Sequence, residues 1–165
     1  MGDHDAPTEH LRPRRRHYIL CRVPTPAAIL MSIKPVHSDA IYDGSKTVEL
    51  RRRFPLVPPG TPVVVYSSSP TMEVSGEFRV GSVTIDDVVH TWERVAGLVG
   101  LDVGAFFAYF AGSGSAVAIA VQSPRRFEVP VARSVLLGVH ALTPPQSFRY
   151  LNDHQYASLR AGGCS

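Results

Sequence analysis

ILMSIKPVHSDAIYDGSKTVELRRR, residues 29–53, is the stretch on which the reading of the whole chain turns. Its first five residues are an apolar run of strand type, closed by Lys34-Pro35, because proline cannot donate to a sheet ladder. Residues 37–43 can form two helical turns with Val36, Ala40 and Ile41 on one face, and Gly44 is a natural stop. Residues 47–51 then alternate: Val48 and Leu50 point one way, Thr47, Glu49 and Arg51 the other. With the apolar side on the core, Lys46 enters from the turn and Glu49 and Arg51 share a polar face. The alternation alone also fits a half-exposed strand with its polar side in water.

Working outward, residues 1–28 mix charge with four prolines and three histidines and show neither a helical nor a strand period. They read as a basic tail, in which RPRRRH (residues 12–17) is either a phosphate-binding arm or plain solvated charge. Residues 54–62 hold four prolines and a glycine and read as a loop. Residues 63–66 are a β-branched strand running into Ser67, Ser68 and Ser69, which fit a turn as readily as a site. Residues 72–85 carry two linked strand patterns, and Gly76 and Gly81 suggest bulges. Glu77 follows Gly76, so a bend there would turn a carboxylate toward a cleft.

Asp86 or Asp87 caps a helix whose apolar positions, Trp92 among them, have core spacing. Asp102 caps another with Val103, Phe106, Phe107 and Phe110 on one stripe and Tyr109 off it. Residues 116–121 and 127–131 read as two strands joined by a turn at residues 124–126. Residues 134–142 are apolar with ambiguous period. A proline-fixed approach, TPPQSFRYL (residues 143–151), precedes a last helix over residues 153–160, which Asn152 caps. About six short strands with clustered helices argue against a doubly wound sheet. They favour an α+β fold, a small mixed or antiparallel barrel with inserted helices, over residues 29–160, followed by a short tail at 161–165.

The net charge is only +3, but 15 of the 17 basic residues are arginines, nine of them clustered at 12–16, 51–53 and 125–126. Guanidinium groups grip phosphate oxygens in pairs, so the clusters suit a nucleic-acid or nucleotide partner, though they also fit ordinary solvated charge. The seven histidines are dispersed, and neither H-x-E nor C-x-x-C occurs, so no metal set and no cofactor are expected. Cys21 and Cys164 make no disulfide framework, which suits a reducing compartment. Residues 1–28 lack an apolar signal core and no run approaches about 20 apolar residues, so a cytoplasmic location away from membranes is expected.

Four segments in order carry a resemblance. They are SIKPVHSDAIYDGSKTVELRRR (32–53), VYSSSP (65–70), VSGEFRVGSV (74–83) and PPQSFRYL (144–151). Together, and above all through Gly44-x-Lys46-x-x-Glu49-x-Arg51, the chain resembles the ASCH domains of the PUA-like superfamily. Its ending is similar to that of a prokaryotic subgroup described as predicted transcriptional regulators. The resemblance implies a small barrel with a one-sided cleft that binds RNA, another single-stranded nucleic acid or a modified nucleotide. It implies that Lys46, Glu49 and Arg51 line the cleft, with Tyr66, Ser67, Ser69 and Glu77 nearby and Gln146, Ser147 and Arg149 as a far wall.

Two enzymatic alternatives come with the family, a nucleoside amidohydrolase and a ribonuclease, in which Lys46, Glu49 and Glu77 would be the catalytic set. The amidohydrolases place a threonine nucleophile where this chain has Glu49, and a carboxylate there requires a different mechanism. In the ribonucleases a lysine acts with a serine; Lys46 would stabilise a phosphorane-like transition state, with Ser115 or Ser147 as the partner.

Overall fold

The computed structural model describes residues 26–163. The elements run β1 (Ala28–Ile33), α1 (Pro35–Tyr42), β2 (Val48–Arg51), β3 (Pro62–Ser67), β4 (Glu73–Asp86), α2 (Val88–Val95), α3 (Val103–Phe110), β5 (Ala116–Ala132), α4 (Arg133–Gly138), β6 (Phe148–Leu151) and α5 (Asp153–Gly163). The strands form one sheet in the order β2-β5-β4-β3-β1-β6. β1 and β3 are parallel and the other pairings antiparallel. This is the expected α+β architecture, with the sheet curled into a half-barrel. The arginines at 12–16 and both cysteines lie outside the described residues. Among the described residues no helix is long and apolar enough to cross a membrane.

The curl comes from the long β4–β5 ribbon, whose register shifts between Val74 and Gly76, Glu77 and Arg79, and Val80 and Val83. Each such irregularity bends the ribbon and increases its right-handed twist. The concave side is filled by Ile29, Met31, Ile33, Val63, Val65, Phe78, Val80, Val117 and Ile119, with Ile41 of α1. The alternate residues Leu30 and Val64 pack outward with Phe127, Leu136, Leu142 and Leu159, beneath α4 and α5. Burial of both faces explains why β1 and β3 read as nearly unbroken apolar runs. Val48, Leu50, Val95, Val99, Phe106 and Phe110 form a third cluster against α2 and α3.

The helix ends follow the sequence signals. Pro35 starts α1, where its missing N–H costs nothing. Asp87 accepts from the amides of Val89 and His90, and Asp102 from that of Ala105. Asn152 and Gln155 cap α5 reciprocally, at 2.8 and 3.1 Å.

Three expectations need correction. The turn at residues 124–126 does not form; β5 is continuous from Ala116 to Ala132. Partner pairing skips from Gln122 to Arg125 opposite Arg79 and Glu77. Ser123 has φ 47°, so a bulge absorbs Pro124, which has no N–H to give the ladder. In α3 only Phe106 and Phe110 are buried, while Val103 and Phe107 are partly exposed, because the helix covers the margin of a small cluster. Finally, α5 continues to Gly163, where a side chain would strike the Phe127 ring.

Gly76 marks the tightest backbone approach near the ribbon's bend, since a Cβ there would run into the Arg125 carbonyl and the Tyr42 hydroxyl. Gly76→Ala is expected to cost about 2–3 kcal/mol, as overpacking in a filled interior does. Gly97→Ala, which meets open space, should stay within about 0.5 kcal/mol of the wild type. Urea unfolding of both variants checks this, and equal midpoints would contradict it.

Candidate nucleic-acid interface

The turn after α1 aims one side chain. Gly44 takes φ 81°, the Asp43 carboxylate accepts from the Ser45 amide at 2.8 Å, and the Lys46 amide returns to Ala40 O at 2.9 Å. Lys46 is thereby turned inward and is 2% exposed. Its Nζ lies 3.1 Å from Glu49 Oε2 and donates to Val99 O at 3.3 Å. The other Glu49 oxygen lies 3.0 Å from Arg51 Nη2. Arg51 Nη2 also donates to Ser32 O at 2.7 Å. That bond joins β2, one end of the sheet order, to β1 near the other end, so it spans the open side of the half-barrel.

Glu49 and Arg51 are 5% and 9% exposed. Taking three charges out of water is expensive, and the cost is offset only when geometry and extra hydrogen bonds are good. Here each carboxylate oxygen has its own cation, and each cation has a backbone carbonyl as well. One donor is left over: Arg51 Nε is buried and has no hydrogen-bond partner among the described residues.

These groups line a cavity of about 530 Å³. Ser32, Ile33, Lys34 and His37 border it from β1 and α1, Tyr66 and Ser68 from β3 and its end, Tyr109 from α3, and Pro144, Pro145 and Gln146 from the loop before β6. The loop is tied to β1 by Ser32 Oγ donating to Pro145 O and by the Ser32 amide donating to Ser147 O. Tyr109 is tied to the end of β2 by Arg52, which donates to the Tyr109 carbonyl at 2.8 and 2.5 Å and lies 5.3 Å over its ring. Burial and the cations Lys46, Lys34 and Arg51 lower the pKa of His37, against Glu49 (which raises it). Burial raises that of the Tyr66 phenol, so it stays a neutral donor.

Of the residues singled out from sequence, the cavity brings together Lys46, Glu49, Arg51, Tyr66 and Gln146. It does not include Ser67, Ser69, Ser147, Arg149, Ser115 or Glu77. Ser67 serves a buried hydroxyl chain instead. Ser38 Oγ donates to Pro35 O, Ser38 meets Ser67 at 2.8 Å, Ser67 meets Ser75 at 2.7 Å, and Ser75 meets Tyr42 at 2.9 Å. Because the Ser38 hydrogen is committed to Pro35, the donors run in one direction from Tyr42 to Ser38. Burial raises the Tyr42 pKa and keeps it the protonated head of that chain. The chain pins α1, and with it Lys34 and His37, to β3 and β4.

Glu77 departs most from expectation. It pairs with Val64, whose side chain packs outward, and it faces α5. There its oxygens meet Arg125 at 3.0 Å, Arg160 at 3.3 Å and the Tyr156 hydroxyl at 3.0 Å. The glycine bends the strand, but the carboxylate turns to the opposite side. Ser69 is exposed, and Arg149 reaches Thr143. Sequence reasoning passed over Ser32, Lys34, His37 and Ser68. Lys34 and His37 stand three apart at the first turn of α1, and that spacing was the available signal. Among the described residues no three His, Cys, Asp or Glu side chains are grouped to hold a metal.

No family model matches the chain. A Zymomonas mobilis protein named ASCH domain-containing ribonuclease is 28% identical over 138 residues, covering 83% of this chain and 93% of the relative. The crystal structure of ASCH from Zymomonas mobilis superposes with a TM-score of 0.77 at 27% identity, covering 82% of this chain and 94% of that one. A serine-to-alanine variant of ZmASCH from the same organism gives 0.78 at 26% identity, covering 84% and 98%. The Gly44–Arg51 motif sits on the cavity these elements build, and the curled six-stranded sheet is shared with those structures: in sequence and in fold the chain is similar to ASCH domain proteins.

Proposed function

We propose that the cavity binds single-stranded RNA, with backbone phosphate on Arg51 and Lys34 and a base toward Tyr109 and Pro145. The observation that carries this reading is the cavity itself, in which three cationic side chains, Lys34, Lys46 and Arg51, face one carboxylate, Glu49. Three cations against one carboxylate leave a net positive field in the cavity, and an anionic oxygen from a ligand is the group that matches it best. Glu49 has both oxygens engaged, so its part is to hold the two cations in place rather than to read a base. The Ser68 hydroxyl and the Gln146 amide supply the mixed donors and acceptors that a ribose 2′-hydroxyl uses. A volume of about 530 Å³ is within the range of ligand pockets and suits a nucleotide or two rather than a duplex.

A second reading, cleavage of the bound RNA, is favoured by the relative named as a ribonuclease. In it Lys46 and Arg51 stabilise the charge that builds on the phosphoryl oxygens in the transition state, which preorganised buried cations do well.

Fluorescence titration with a short single-stranded RNA tests binding. Arg51→Lys keeps the charge but loses the fork, and should weaken binding about ten- to hundredfold, the worth of charge-assisted bonds of roughly 1.5–3 kcal/mol. Lys34→Ala should lower the slope of log affinity against log salt by about 0.7, one phosphate's share on a single strand. Wild-type affinity and salt slope in both variants would exclude the cavity as the RNA site. For the second reading, gel analysis of end-labelled RNA should show shortening by the wild type and a rate about 10²–10³-fold lower for Lys46→Met. Equal rates would remove Lys46 from the chemistry.

A further inference from the structure

The geometry points to His37 as the general base of RNA cleavage in this cavity, an assignment that rests on the ribonuclease reading above. His37 is the one imidazole bordering the cavity; the other described histidines, His90, His140 and His154, are not among its lining residues. Its backbone is fixed as the first turn of α1 closes, the amide donating to Lys34 O at 2.9 Å. The helix itself is pinned by the Tyr42–Ser75–Ser67–Ser38 chain. The ring is half-buried and hydrogen-bonds no side chain or carbonyl among the described residues, so a nitrogen is left for a ligand. It is also the group in the cavity suited to accept a proton near neutral pH. Burial raises the Tyr66 pKa, Lys34, Lys46 and Arg51 carry donors rather than acceptors, and Glu49 is tied into two ion pairs.

In the step so assigned, the ring nitrogen removes the proton from a ribose 2′-hydroxyl. The O2′–P bond forms and the P–O5′ bond breaks. The departing 5′ oxygen takes a proton from water at the cavity mouth, and His37 returns its own proton to solvent. The products are a 2′,3′-cyclic phosphate and a free 5′-hydroxyl, with no oxidant or reductant consumed. The surroundings suit this division of labour. Burial, with Lys46 from the turn before β2, Lys34 at the start of α1 and Arg51 of β2, disfavours the imidazolium before reaction, while Glu49 of β2 favours it and steadies the protonated ring afterwards. The same cations face the phosphate whose charge grows in the transition state.

The test measures cleavage and binding separately. Wild-type protein should convert an all-ribose oligonucleotide to a 2′,3′-cyclic phosphate product and leave a strand with a deoxyribose at the scission site intact. The acid limb of kcat/KM against pH should have its midpoint below the ordinary histidine value of about 6.5. His37→Ala should lower kcat about 10²–10⁴-fold. Its affinity for an uncleavable 2′-O-methyl RNA should stay within about threefold of wild type, and added imidazole should restore part of the rate. Because His37 is only half-buried, the variant should unfold at nearly the wild-type temperature. If the wild type cleaves and His37→Ala cleaves with the same rate and the same acid limb, the assignment falls and the ribonuclease reading stands. If the wild type binds 2′-O-methyl RNA and never cleaves ribose strands, both fall while RNA binding stands.

Discussion

Glu49 is a buried carboxylate with a lysine on one oxygen and an arginine on the other, and the rest of the site depends on it. Two cations this close repel each other, and neither would stay buried without the anion between them. With Glu49 in place, Arg51 is free to reach across to Ser32 of β1, and the two sides of the half-barrel are held at the spacing that makes a cavity. The interaction is therefore both a fastening of the sheet and the source of the positive field inside it. A hydrophobic replacement of the same volume could hold the sheet about as well, but would leave no cations facing the cavity.

The scaffold supplies what the ion triad cannot. Register shifts along β4 and β5 curl the sheet so that β1 and β2, four places apart in the strand order, come within hydrogen-bonding distance. The third apolar cluster presses Val48 and Leu50 against α2 and α3, which turns Glu49 and Arg51 the other way. The hydroxyl chain through Ser67 fixes α1 against β3 and β4, so Lys34 and His37 project from a rigid element rather than from a loop.

Much of this was legible in the sequence, for identifiable reasons. The alternation Val48-Glu49-Leu50-Arg51 has period two, and one apolar face suffices to place the polar one. Asp87, Asp102 and Asn152 announce helix starts through their own chemistry. What was not legible depends on pairing across long separations. Glu77 precedes no local signal that distinguishes the two sides of a bent strand; its direction is set by Arg125, Arg160 and Tyr156, 48 or more residues away. Pro124 reads as a turn because a bulge opposite Phe78 cannot be seen from one strand. Ser67 and Ser68 are neighbours with opposite fates, one in a buried hydroxyl chain and one at the cavity, and a one-residue register shift at Val65 and Tyr66 falls just before them. A motif thus located the Lys46, Glu49 and Arg51 face, while its wider surroundings were set by topology.

The account turns on the Arg51 guanidinium being the place where an RNA oxygen docks. Nitrogen-15 NMR of the arginine Nε–H groups, with Arg51 assigned through the Arg51→Lys variant, measures that contact directly. Titration with a 2′-O-methyl oligonucleotide should shift the Arg51 Nε–H resonance saturably, with little change at exposed arginines such as Arg94. An Arg51 resonance that stays unmoved while the oligonucleotide is fully bound would contradict the account.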